Sequence, residues 1–154
     1  MFRRSKKEKI DAETLSDIKV LQKLKLNVRE VKKCYAALVK YDISGSVKDI
    51  CKTSDLIVKE VSLNHDKIGQ VNLFVEYYIP VLIKMLHQYI DIKENKLLGE
   101  DSAKTMRAIE EMLPKIQFAF SELLNQLFHN ENRDVDADIK VMIKELMQRG
   151  LLDD

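Results

Sequence analysis

Asp134, Asp136 and Asp138 alternate along the chain, and Glu145 follows at the twelfth position of the same window. Carboxylates at positions 1, 3, 5 and 12 have the oxygen-ligand spacing of a calcium loop, and Val141 supplies the apolar residue at position 8. Position 6, however, holds Ile139, where such a loop needs glycine for its sharp turn. Ile139, Met142, Ile143 and Leu146 also recur at helical spacing, through the stretch that would have to be loop. Carboxylates at a helix N-terminus account for the same residues, because they satisfy unpaired N–H groups and complement the helix dipole. The four acids remain the metal candidate of the sequence, but no bound metal or cofactor is expected.

Nucleophilic chemistry has less to work with. His65, His87 and His129 fall in separate segments, without an H-E-x-x-H or G-x-S-x-G arrangement. Gly45-Ser46 lacks the length and the Lys-Ser/Thr ending of a phosphate loop. Cys34 and Cys51 sit at core-like positions of helical patterns, which predicts two packed, reduced thiols. No residue is assigned a catalytic role.

The densest group of contact-forming side chains is Phe74-Val75-Glu76-Tyr77-Tyr78-Ile79-Pro80. Aromatic rings on a helix that proline bends offer rigid contact area to a partner. Phe74, Glu76, Tyr77, Tyr78 and, farther along, Tyr89 are therefore the candidate partner-binding residues, with Glu76 as the polar handle. On an α-helix, Tyr78 shares a stripe with Phe74, Val81, Leu82 and Met85, while Tyr77 lies about 100° away. That predicts a core Tyr78 and an edge Tyr77.

These side chains need a scaffold, and composition says which kind. Four glycines and two prolines in 154 residues are too few for a fold that turns every ten residues. Charged residues reach 33%, above the roughly 25% of an average domain, which favours long helices with solvated faces. Apolar spacing in threes and fours predicts five helices, at about residues 12–43, 47–63, 67–96, 102–129 and 135–149. Gly45, Gly99 and Gly150 read as helix stops. Pro80 and Pro114 predict kinks near Glu76 and Glu110. The expected architecture is all-α: an elongated antiparallel bundle of about five helices, two of them proline-kinked. A basic arm, residues 1–10, precedes a single helical domain, 11–154. The third and fourth helices, joined by a loop of about five residues, are expected to form the longest antiparallel pair.

Charge is unevenly spread. Residues 1–40 carry 12 Lys/Arg against 5 Asp/Glu, and the remainder 14 against 20. The basic part lacks a set of aromatics for base stacking, so no specific nucleic acid is expected. No stretch reads as a signal peptide or a membrane span, so the expected location is cytoplasmic, with the basic arm able to touch an acidic membrane surface.

The aromatic segment also carries a resemblance. Phe74-x-x-Tyr77-Tyr78-x-Pro80 is followed by Lys84-x-Leu86-x-x-Tyr89 and Phe120-x-x-x-Leu124-x-x-Leu127, then by Asp134-x-Asp136-x-Asp138-Ile139 and a closing Gly150-Leu151. In order and spacing, over about residues 45–152, this resembles the 5-bromo-4-chloroindolyl phosphate hydrolysis protein family. The resemblance implies an all-helical bacterial protein, and the family's name implies hydrolysis of an artificial phosphate ester. It implies no catalytic residues, because the matched positions are mostly apolar or aromatic. Some relatives carry membrane-spanning N-terminal segments, whereas this N-terminus is basic. Others accompany tellurite or toxic-anion resistance proteins, which implies a partner of that type. Two functions are thus expected: an interaction protein that binds a helical partner or itself, and, as the alternative, a phosphate-ester hydrolase.

Overall fold

The computed structural model describes residues 2–97 and 99–153, with side chains from residue 14 onward. It is a packed, all-α arrangement, and no strand occurs among the described residues. The α-helices are α1 (Phe2–Leu38), α2 (Ser44–Leu63), α3 (Ile79–Glu94), α4 (Glu100–Leu127) and α5 (His129–Gln148). A 3₁₀ helix, His65–Val71, and a π-helical turn, Phe74–Tyr78, lie between α2 and α3. Helix α1 takes in residues 2–10, so the basic segment is continuous with it.

One contiguous core runs through α1 to α4. Leu24, Val28, Val31, Cys34 and Leu38 of α1 meet Val47, Ile50, Ile57 and Val61 of α2 and Leu82, Leu86 and Tyr89 of α3. Their three- and four-residue steps are those of one helix face turned inward. Ile109, Leu113, Phe120 and Leu127 close the core from α4. Helix α4 packs chiefly on α2, where Gln117 donates to Asp49 Oδ2 (3.0 Å), and only lightly on α3. The expected α3–α4 pairing is thus corrected: a short loop joins the two helices, but α4 turns its core stripe mainly to α2 and leaves an open groove beside the first turns of α3.

Several boundaries move for local reasons. The first long helix ends at Leu38, and turn bonds from Tyr41 N–H to the Leu38 carbonyl (2.9 Å) and from Ser44 N–H to the Tyr41 carbonyl (3.1 Å) carry the chain into α2. Gly45 therefore lies in the first turn of α2 and is not a stop. Gly99 (φ 130°) and Gly150 (φ 72°) do mark helix ends, since both need backbone angles that other residues resist. After α5, Leu151 N–H bonds the Leu146 carbonyl (2.9 Å) and Gly150 N–H that of Met147 (3.1 Å), the paired closure that a left-handed glycine allows. Helix α4 runs through Pro114 without interruption.

Pro80 acts one turn earlier than a simple kink would. It lacks an N–H for the Glu76 carbonyl, and its ring crowds that carbonyl in α geometry. The preceding turn is widened: Ile79 N–H bonds the Phe74 carbonyl five residues back, the hydrogen bond of a π turn. The inward residues here are Val71, Phe74, Val75, Ile79, Leu82 and Leu86, while Glu76, Tyr77 and Tyr78 face outward in a row. Tyr78, expected in the core, is displaced outward and is 49% exposed; Ile79 and Leu86 take the places predicted for Tyr78 and Met85.

Helix α5 departs most from expectation. None of its residues is buried, and Ile139, Met142 and Ile143, the apolar stripe of the sequence, are exposed while Leu146 is half-buried. Its first turn is held to the body by Lys67, a buried ammonium that donates to Glu60 Oε1 (2.8 Å) and to Glu131 and lies 5.1 Å from the Phe128 ring centre. Burial alone would pull Lys67 down, but the hydrogen bonds to Glu131 and Glu60 outweigh it and hold the ammonium above its ordinary range.

The cysteines are placed as expected, both buried. Burial, then the Glu30 carboxylate and Cys51, push the Cys34 thiol up to about 11; burial and then Asp55 push Cys51 up to about 11. At pH 8 both are thus neutral in the folded protein, and alkylation by iodoacetamide should be much slower than in urea-unfolded chain. Equal rates in the two states would place the thiols at the surface.

Candidate partner groove

The outward turn of the tyrosines opens a groove of about 690 Å³ between the π turn and α3 on one side and α4 on the other. Its floor is Phe74, 2% exposed, set edge-to-face on Phe120 with ring centres 4.6 Å apart. One wall carries Tyr77 and Tyr78, also edge-to-face at 5.7 Å, with Val81 beyond them. The opposite wall carries Met112 and Phe118, and Phe118 is 67% exposed. Lys115 and Glu122 stand among these as the charged groups of the α4 side. A concave apolar surface flanked by isolated charges has the composition of a helix-binding groove.

Three of the five residues singled out from sequence meet here: Phe74, Tyr77 and Tyr78. Glu76 does not. It points to α1, where Lys23 Nζ donates to its Oε2 (2.6 Å). Tyr89 is buried elsewhere, with its hydroxyl donating to Glu110 Oε1 (3.2 Å) and its ring 6.4 Å from that of Tyr41. Burial and then the Glu110 carboxylate push this phenol up to about 12, so it stays a hydrogen-bond donor. Met112 and Phe118 were missed, because they lie off the core stripe of α4 and read as scattered surface residues. Their signal is weak but real: two large apolar side chains on the polar face of one amphipathic helix.

The acids of the candidate calcium loop lie on continuous helix. Asp134, Asp136, Asp138 and Glu145 are all exposed on α5, where a wrapped loop has no room to form. Asp134, Asp138 and Glu145, with Glu131, share one edge of the apolar stripe, and Asp136 falls on the other side. A different group converges among the described residues: donor atoms of Glu30, Cys34 and His87 all lie within 4.8 Å of one another.

Comparison with known families now bears on the groove residues, since they sit inside the matched stretch. A family model described as 5-bromo-4-chloroindolyl phosphate hydrolysis protein matches residues 6–142. The chain belongs to that family. The match extends the sequence resemblance back through α1, so all helices of the core and most of α5 are part of the 5-bromo-4-chloroindolyl phosphate hydrolysis family's common chain. No curated protein and no solved structure matches it. Among the described residues, no helix is long and apolar enough to cross a membrane.

Proposed function

We propose that this protein is a helix-docking interaction protein, and that the helix its groove takes is α5 of a second copy. The observation that carries the reading is the pairing, on one chain, of an open aromatic groove with a 20-residue amphipathic helix that buries none of its own residues. Val135, Ile139, Met142 and Leu146 form a stripe about 17 Å long, and the groove extends about 21 Å along α4 from Met112 to Gln126. Apolar faces of matching length on one molecule favour a reciprocal, two-fold pairing, in which each copy gives a helix and receives one. Charge supports the fit, because the acidic edge of α5 can face Lys115 on the groove wall.

Sedimentation across a concentration series tests this. The natural chain should dimerise, and both Phe118→Asp and Met142→Asp should weaken dimerisation by at least about tenfold while leaving the helical circular dichroism intact. A chain that stays monomeric at all concentrations, or dimers indifferent to both substitutions, would overturn the proposal.

A second reading, phosphate-ester hydrolysis, is supported by the description of the family and by the Glu30, Cys34 and His87 group as a place for such chemistry. Turnover of a chromogenic phosphate ester that survives gel filtration, depends on divalent metal and disappears in His87→Ala would favour it over docking alone. A toxic-anion-resistance type partner, suggested by resemblance, belongs to the first reading and would compete for the same groove.

A further inference from the structure

We propose that Glu30, Cys34 and His87 bind one divalent transition-metal ion of the zinc class. Glu30 and Cys34 are one turn apart on α1, so the helix fixes their relation, and His87 reaches them from α3. The two helices are locked by the core residues beside the group, Val31 from α1 and Leu86 from α3, both fully buried. The ligand frame is therefore set by packing and not by mobile loops.

Distances and donor types agree with the assignment. Four-coordinate zinc, with bonds of about 2.0–2.3 Å, holds its ligand atoms roughly 3.3–3.6 Å apart. Glu30 Oε1 and His87 Nε2 are 2.8 Å apart, and no pair in the group exceeds 4.8 Å. To reach bonding geometry the Glu30–His87 pair opens slightly and any wider pair closes, by torsions of a three-bond carboxylate and a half-exposed imidazole. Oε2 of Glu30 lies 4.0 Å from Lys33, while Oε1 hydrogen-bonds with His87 Nε2, a contact that the ion would replace. Mixed sulfur, nitrogen and oxygen donors suit zinc or cobalt, not calcium or magnesium.

A carboxylate and a buried thiol converge there from one turn of α1. A dication replaces the thiol proton and neutralises the carboxylate, and a coordinating thiol is deprotonated outright. The exposed side of His87 leaves the fourth position open to water, as in zinc centres with three protein ligands.

Cobalt(II) titration of the reduced full chain is the test, read by thiolate-to-cobalt charge-transfer absorption. The band should saturate at one ion per chain and be displaced by zinc, and affinity should rise with pH as protons are released. His87→Gln and Glu30→Gln, which leave Cys34 and the core intact, should each weaken binding by about tenfold or more. Cys34→Ser should abolish the band, and Cys51→Ser should keep it. Absence of the band at excess cobalt overturns the proposal, as does its survival in Cys34→Ser or full affinity in His87→Gln.

Discussion

Phe74→Ala should destabilise the protein by about 3–5 kcal/mol, the cost of emptying a buried aromatic site. Phe74 is among the largest fully enclosed side chains, and its ring meets Phe120 edge-to-face. For a chain of this length the loss lowers the melting temperature by roughly 10 °C. Tyr78→Ala, four residues later, should change stability by well under 1 kcal/mol, because that ring is half in solvent and set edge-to-face on the exposed Tyr77. Urea unfolding of the two variants separates them. Equal losses would mean that the π turn is not present in solution. A double-mutant cycle between Phe74 and Phe120 should return about 0.5–1.5 kcal/mol of coupling, the part due to ring geometry.

Lys67→Met should remove about 2–3 kcal/mol, because it retains the apolar stem but deletes two charge-assisted hydrogen bonds and leaves Glu60 in a nearly enclosed place. The effect should concentrate where α5 begins, seen as faster amide exchange over residues 129–133. The same contacts set pH limits. Lys67 is held above its ordinary value, so its contribution is complete below pH 10.5 and is lost as pH rises through the higher folded value. The hydrogen bond from Lys67 holds the Glu131 carboxyl below its ordinary value, so its contribution is complete above pH 4.5 and is lost as pH falls through the lower folded value. Exchange at the start of α5 should thus be slowest between these limits. A pH-independent rate, corrected for intrinsic chemistry, would rule out the Lys67 clamp.

Much of the fold was legible because helix periodicity records burial directly. Leu24, Val28 and Val31 of α1, or Ile109, Leu113 and Phe120 of α4, declare their inward face by spacing alone. Periodicity also misled, for two distinct reasons. In α5 an amphipathic stripe signals an apolar face, not that its own chain covers it, so Ile139 and Met142 keep helical spacing yet lie outside. Between Phe74 and Leu82 the assumed α period assigned Tyr78 inward, whereas the hydrogen bond from Ile79 to Phe74 selects a wider turn. The groove was half visible for the same reason: its aromatic wall was conspicuous, but Met112 and Phe118 acquire meaning only once α4 is set opposite. The Glu30, Cys34 and His87 group could not be read at all, since nothing in the chain announces that α1 and α3 meet at that register.

The widened turn seats Phe74 and Val75 side by side in the interior and then turns Glu76, Tyr77 and Tyr78 outward in succession. One turn of backbone therefore serves two surfaces, closing the core with a pair of neighbours and supplying the groove wall with the next rings. A change that restored α geometry there would be felt on both sides of the helix at once.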